Sequence, residues 1–454
     1  MRVLLVTHFF PPERNAGTEN YTLALAQALR RRGHDARVVC AAGWNHGERY
    51  WNGVDDAPAF GVPVRRVRLH WARASDPNQV LYDSPEVERW FEAELGAFRP
   101  DVVHVTSAAT LGVGVLRAAR RRGVRLVFTL MDFWTVCPRT TLLRGDGALC
   151  DGRTTPWQCE ACVLDRSRLY RRTRGWMPAR LREAVWTGIA HHAGLRRLRG
   201  ARGLALDMAD RKARLADALA QPDVVLSHSR VVQRMVGALG LRADVRVLAP
   251  GHELAWLSGY AGRTASPVVR FGYVGQIAAI KGVHTLIEAF AASASAGRAR
   301  LDVWGDPAAD PPYARGLEAA ARGVEGVAFR GAFTRADLPA VWAGIDVLVV
   351  PSRWYENAPL VIQEAFATGT PVVATNLGGM AEAVRHGVSG LLVERDSVAD
   401  LARALDRLTS EPGLVAALAR GVPPVKRIDE EADELEAIYR GDDGIWHPVP
   451  APAA

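Results

Sequence analysis

Short apolar runs of strand length alternate with helix-length amphipathic segments from the first residue to about residue 250, and again from about residue 269. Two such series call for two parallel sheets, each covered by helices on both faces. In the first series residues 2–7, 36–40, 101–106, 124–130 and 223–227 read as strands. Tyr21, Leu25 and Leu29 fall on one side of the first helix, which Gly33-His34 ends. The second series offers strands at 269–274, 301–303, 327–330, 346–350 and 371–374, with helices such as 283–292 and 359–367 between them. The break GHELAWLSGYAGRTASP, residues 251–267, reads as a linker. The predicted class is therefore α/β, with two doubly wound parallel sheets. One domain spans residues 1–255 and carries an insertion at about 131–219; the other spans 265–420. Residues 421–454 add an acidic helix at 430–439 and a frayed tail, HPVPAPAA. Sheets facing one another would leave a cleft at the carboxyl ends of their strands, where such sheets take ligands.

With 454 residues, 48% hydrophobic and 23% charged, the chain is long and apolar enough for two cores and excludes a disordered protein. The net charge of +8 is largely arginine, clustered between Arg166 and Arg214 in RSRLYRRTRGWMPARLR and RRLRGARG. A solvated helical face would account for it, as would attraction to an anionic acceptor or to acidic lipid headgroups. No nucleic-acid-binding motif accompanies the charge, so nucleic acid is not an expected partner. The apolar start, residues 1–6, is too short for a secretory segment, and no run of about 18 apolar residues follows. A cytoplasmic chain is expected, in peripheral contact with the inner face of a membrane at most.

The segment VLVVPSRWYENAPLVIQEAFATGTPVVATNLGGMAEAV, residues 347–384, is the most informative. A strand ends near Ser352, a loop carries Trp354, Tyr355 and Glu356, and a helix begins near Pro359, which tolerates the first turn because its N–H would have no partner there. The free amides of Asn357, Ala358 and Leu360, together with the positive end of the helix dipole, suit a diphosphate. Seven residues separate Glu356 from Glu364. One lies before the helix and one a turn inside it, so they do not make a facing glycosidase pair. They fit two hydroxyl-binding carboxylates on either side of a phosphate site.

This segment resembles the double-glutamate signature of glycosyltransferase family 4. The similarity extends to HFFPPERNAGTENYTLALAQALRRRGH at residues 8–34, SHSRVVQRMVGALGLRADVRVLAPG at 227–251 and FGYVGQIAAIKGVHTLIEAF at 271–290. The resemblance implies a GT-B fold of two Rossmann-like domains facing a cleft. It also implies retaining transfer of a sugar from a nucleotide-diphosphate donor to a hydroxyl acceptor: a glycan, a lipid-linked intermediate or a natural product. In the implied roles Glu364 binds the ribose hydroxyls, Glu356 the donor-sugar hydroxyls, and Lys281 the diphosphate. Pro359 opens the phosphate-facing helix, Gly17 lets the first loop approach closely, and Arg330 with Gly331 flanks the base. Such chemistry stabilises leaving-group charge and requires no cofactor.

Three positions depart from that pattern. Met131 precedes Asp132 where relatives carry His-Asp, leaving Asp132 to keep part of that role. Gln276 stands where a phosphate-binding arginine is common, and Thr106 where a second histidine often follows His104. His8 could reach the site from the end of the first strand. These changes keep open a non-catalytic nucleotide-sugar-binding homologue, and an epimerase on the same fold is a further alternative. Cys40 reads as a buried strand residue. Cys137, Cys150, Cys159 and Cys162 share one loop, whose Cys-x-x-Cys element fits either a structural zinc site or reduced thiols. Some family members carry a similar cysteine-rich loop.

Overall fold

A computed structural model describes residues 1–192, 194, 206–242, 244–293 and 297–442. The RRLRGARG cluster and the HPVPAPAA tail therefore lie outside the described residues. The chain forms two compact units. One is Met1–Ala249 together with the segment from Ile428; the other is Pro250–Arg427.

The first unit is built on an eight-stranded sheet. Its strands are β1 (Arg2–Val6), β2 (Asp35–Ala41), β3 (Trp51–Asp56), β4 (Val64–Leu69), β5 (Val102–Val105), β6 (Arg125–Leu130), β7 (Val224–Ser227) and β8 (Arg246–Val247). They are ordered β3-β4-β2-β1-β5-β6-β7-β8. All pairings are parallel except β3 with β4, an antiparallel edge that the sequence did not announce. β1 pairs with β2 on one side and β5 on the other, so the winding reverses beside its carboxyl end.

The helix Gly17–Arg31 follows β1 and buries Tyr21, Leu25 and Leu29, the face expected from their spacing. Against it packs the terminal helix Ile428–Arg440, through Ile428, Ala432, Leu435 and Ile438. Tyr21 Oη donates to Glu431 Oε1 at 2.8 Å, and the Arg32 guanidinium pairs with Asp433 and Glu436. The terminal helix is thus a wall of the first unit's core, contributed from the far end of the chain.

The second unit holds a six-stranded, wholly parallel sheet. Its strands are β9 (Val269–Val274), β10 (Ala299–Trp304), β11 (Val327–Gly331), β12 (Val347–Val350), β13 (Val372–Thr375) and β14 (Gly390–Val393). The order is β11-β10-β9-β12-β13-β14. Here the winding reverses between β9 and β12, which pair through Phe271 with Val347 and Gly272 with Leu348. One core cluster, around Phe271, Leu286 and Leu405, lies on one side of this sheet; a second is centred on Trp342, Leu348 and Ile362.

Between β6 and β7 the chain forms a loop and helices at Pro156–Leu164, Arg168–Trp176, Ala179–His191 and Met208–Leu219. This segment has a small core of its own, with Cys159, Leu164, Tyr170 and Trp186.

Candidate functional site

In the second unit the reversal between β9 and β12 brings two loops together at the strand ends, the position where doubly wound sheets accept ligands. The β9 loop ends in a short 3-10 turn, Ala279–Lys281, capped by Gly282 at φ +72°. A Cβ on Gly282 would stand 2.0 Å from the Pro351 carbonyl oxygen, so only glycine lets this loop lie against the one after β12. Lys281 is thereby delivered to Glu356, with Nζ 2.7 Å from Oε1. The same Oε1 accepts from Ser352 Oγ and Trp354 Nε1, both at 2.8 Å. The Lys281 ammonium also lies 5.2 Å from the Trp354 ring centroid. Glu356 is buried and Lys281 half-buried, so the pair is shielded from bulk water yet reachable on the lysine side.

Pro359, at φ −66°, occupies the cap of the helix Leu360–Ala367 rather than its first turn. The leading amides of this helix still lack intrahelical partners by construction. Glu364 sits within it and retains part of its surface. Crowding by surrounding protein pushes its carboxyl up to about 7, with Arg335 pulling the other way. The signature loop is fixed from behind by Gly379, whose N–H donates to the Glu356 carbonyl at 2.7 Å. A Cβ there would meet the Asn357 oxygen at 1.7 Å. Gly379→Ala is therefore expected to displace Glu356 and Asn357 and to destabilise the second unit by about 1–3 kcal/mol. Denaturant unfolding reads this, and an unchanged midpoint would contradict it.

The remaining expected residues fall less centrally. Gln276 is exposed at the end of β9, and its carbonyl accepts from Tyr273 Oη at 2.6 Å. Arg330, at the end of β11, is exposed and held by Asp302 at 2.8 Å. Gly331 lines a cavity of about 40 Å³ with Gly305, Ile277 and Phe329.

In the first unit Gly17 is the opening residue of its helix, and its exposed position puts no side chain there. His8 follows β1, and its Nε2 lies 3.3 Å from Oε1 of the buried Glu19. His8 Nδ1 and Glu19 Oε2 are buried without a hydrogen-bond partner. Asp132 follows β6 and accepts the Trp134 N–H at 2.7 Å. Burial raises its carboxyl above the ordinary range, against that bond and the nearby His8. His104 is fully buried and bridges Tyr439 Oη (2.6 Å) to Thr129 Oγ1 (2.8 Å). Burial drives its imidazole down to about 3, so it is a neutral structural link. Thr106 bonds Thr22 Oγ1 at 2.8 Å and ties the first helix to the sheet. Arg211, almost fully buried, was hidden among the arginines of the insertion. It donates to the Trp134 carbonyl, and burial lowers its guanidinium to about 10.

Among the described residues no three His, Cys, Asp or Glu side chains are placed to hold one metal ion. Cys137, Cys150, Cys159 and Cys162 are all free. As they stand, they do not fit a single zinc ion.

Two doubly wound units, the second with a lysine, a helix N-terminus and two glutamates at its reversal, define a GT-B fold. Two family models match: "Glycosyl transferase 4-like domain" over residues 16–172 and "Glycosyl transferases group 1" over 269–411. The chain belongs to the family 4 glycosyltransferases of GT-B fold. Among its relatives, D-inositol 3-phosphate glycosyltransferase of Salinispora arenicola is 32% identical over 54% of this chain and 60% of its own length. Alpha-D-kanosaminyltransferase of Streptomyces kanamyceticus is 31% identical over 37% of this chain and 44% of its own. The chain thus spans under two thirds of these relatives. Two solved structures share the fold. Sucrose-phosphate synthase from Thermosynechococcus elongatus has a TM-score of 0.64 at 16% identity, covering 98% of this chain and all of its own. Anabaena HepE, in complex with UDP and glucose, has a TM-score of 0.63 at 17% identity, covering 97% and 100%.

Proposed function

We propose that the chain transfers a sugar from a nucleoside diphosphate-sugar to a hydroxyl acceptor with retention of anomeric configuration. The observation that carries this reading is the convergence of Lys281, Glu356 and the N-terminus of the Leu360–Ala367 helix at the β9/β12 reversal. In this reading Glu364 accepts from the ribose hydroxyls. Lys281 leaves Glu356 for the diphosphate, and Glu356 turns its freed lone pairs to the donor sugar. The bond from the anomeric carbon to the phosphate oxygen breaks as the acceptor oxygen attacks the same face. The acceptor proton goes to the departing phosphate. The lysine and the helix dipole supply the positive charge this leaving group needs, so the step calls on no metal. The relatives named as glycosyltransferases, and HepE with its bound UDP, support the donor class.

Acid–base behaviour tests the ribose contact. Glu364 holds its proton up to about pH 7 in the folded chain. Its charge is withheld below that pH and present above it. Affinity for UDP-glucose is therefore expected to rise as pH increases through about 7, because a carboxylate accepts hydroxyl hydrogen bonds more strongly than an acid. Stability contributed by the protonated form is lost over the same rise, from the usual carboxylate range up to about 7. Glu364→Gln should flatten the binding profile; a slope unchanged in that variant would contradict the assignment. The stereochemical claim is checked by following the anomeric proton of the first product by NMR. Retention is expected, and an inverted product would overturn it.

Peripheral membrane contact belongs to the same reading. Trp176, Leu169 and Leu181 are exposed on helices that also carry Arg168, Arg171, Arg172 and Arg180, a composition suited to an anionic lipid surface. Trp176→Ala is expected to reduce co-sedimentation with anionic vesicles several-fold; equal sedimentation would remove the contact.

A further inference from the structure

The segment between β6 and β7 encloses a cavity that the second unit's site does not use. Its volume is about 280 Å³. Folded interiors keep few voids larger than a water, and an apolar cavity of about 150 Å³ already takes a benzene. One part of the wall comes from the loop after β6, through Leu142 and Leu143. Another comes from the helices Pro156–Leu164, Arg168–Trp176 and Ala179–His191, through Trp157, Tyr170, Arg174 and Arg182. All of these residues belong to the first unit.

The loop side of the wall is held under strain. Leu142 adopts φ +52°, a region that a bulky side chain rarely takes, and it is 1% exposed. The Cys150 N–H donates to its carbonyl at 2.8 Å, and the Arg144 N–H donates to the Ala148 carbonyl at 2.9 Å. Backbone strain of this kind persists only where neighbouring structure fixes it, and it gathers at ligand clamps. On the helical side Trp157 and Tyr170 meet edge to face, with ring centroids 6.4 Å apart, and give the wall an aromatic corner.

The charge of the wall is lopsided. Arg139, Arg144, Arg174 and Arg182 line it against two carboxylates, Asp146 and Asp165. Asp165 is paired with Arg174 at 3.1 Å, and the exposed Asp146 accepts the Ala148 amide at 3.0 Å. Arg139 Nη1 donates to the Cys162 carbonyl at 3.2 Å, while its Nε is buried with no hydrogen-bond partner among the described residues. Arg182 lies over the Tyr170 ring, 5.9 Å from its centroid, and its Nε is buried and unpartnered in the same way. Burial, and then repulsion from Arg139, lowers the neighbouring guanidinium of Arg166. Buried charged donors without an acceptor are costly, and an anion bound beside them removes that cost.

We propose that this cavity is a second ligand site, taking a small organic anion. Its flat apolar body lies against Trp157 and Tyr170, and its carboxylate or phosphate accepts from the guanidinium groups of Arg139 and Arg182. Arginine suits either head group because its planar fork meets two oxygens at once. The site uses neither Lys281 nor the glutamates of the second unit, so it stands or falls independently of the proposed transfer.

The test uses the full chain and three probes: benzoate, phenyl phosphate and the neutral benzamide. Ligand-detected NMR and quenching of tryptophan fluorescence read binding, with Trp157 on the wall as the reporter. At least one anion is expected to bind about tenfold or more tightly than benzamide, the scale of a hydrogen bond to a charged group. The tighter of the two anions names the head group. Arg139→Met and Arg182→Met should each weaken it about tenfold. Arg153→Gln, exposed on the same loop but off the wall, should leave the affinity unchanged, and UDP should not displace the probe. Benzamide bound as tightly as the anions, displacement by UDP, or full affinity in either arginine variant would overturn the proposal. So would the absence of binding at millimolar probe. Should the variants fail to fold, thiol protection in the wild type decides the matter. The bound anion should slow alkylation of Cys150 and Cys162, two half-buried thiols on the wall, whereas an unchanged rate counts against the site. Cys40, whose thiol burial pushes up to about 12, stays unreactive in either case.

Discussion

Lys281→Ala is expected to lower kcat/KM for a nucleotide-sugar by about 10²–10³-fold, the range found when one charge-stabilising donor is removed from a transition state. The lysine is the cation that the β9 loop delivers to the strand-end reversal, 2.7 Å from Glu356. As the bond to the leaving group breaks, negative charge grows on the diphosphate, so the loss should fall mainly on kcat. Alanine also removes one of three donors from the buried Glu356 Oε1, leaving Ser352 and Trp354. Glu356 would then be less well held even before the donor arrives. Steady-state rates at several donor concentrations separate the two effects. A change in kcat/KM of less than about threefold would remove Lys281 from the mechanism.

Asp346→Ala is expected to destabilise the second unit by about 3 kcal/mol, near the low end for breaking a buried ion pair. Arg270 is 2% exposed and Asp346 21%, which favours that lower end. Asp346 receives the Arg270 backbone N–H at 2.9 Å, Nε at 2.9 Å and Nη2 at 2.8 Å. Removing the carboxylate strands a guanidinium left with only Thr264 and the Ala343 carbonyl. Because Asp346 leads into β12, the strand that carries the Glu356 loop, the unit's sheet centre loosens with it. Denaturant unfolding reads the loss. The double change Arg270→Met with Asp346→Leu should recover much of it, since the penalty comes from an uncompensated charge. A loss under about 0.5 kcal/mol for Asp346→Ala would show the pair to be incidental.

Hydrophobic spacing revealed most of both sheets because buried parallel strands are continuous apolar runs. β1 and β12 are of that kind, and so were legible. β3, with the sequence WNGVDD, is polar, only partly buried and antiparallel, and nothing in its spacing distinguishes it from a loop. β14 is four residues between turns. The docking of Ile428–Arg440 against the first helix depends on partners about 400 residues apart, which no local pattern encodes. Of the site, Glu356, Glu364 and the helix start were legible as a motif. The Lys281–Glu356 bond was not, because it arises from the pairing of β9 with β12. Arg211 looked like one more surface arginine, and only its burial against Trp134 distinguishes it. The partners of His104, Tyr439 and Thr129, come from distant parts of the chain and are likewise visible only in the fold.

The central claim is that the second unit holds a sugar nucleotide and that the chain breaks it down. The most direct measurement is ligand-detected NMR of the purified chain with a panel of UDP-, GDP- and dTDP-sugars, followed over time. The account predicts binding of one donor class with slow release of its nucleoside diphosphate, both lost in Glu364→Ala. Binding without release, even with hydroxyl acceptors added, would favour a non-catalytic sugar-nucleotide-binding protein and point to Met131 as the cause. No binding to any donor would contradict the account at its root.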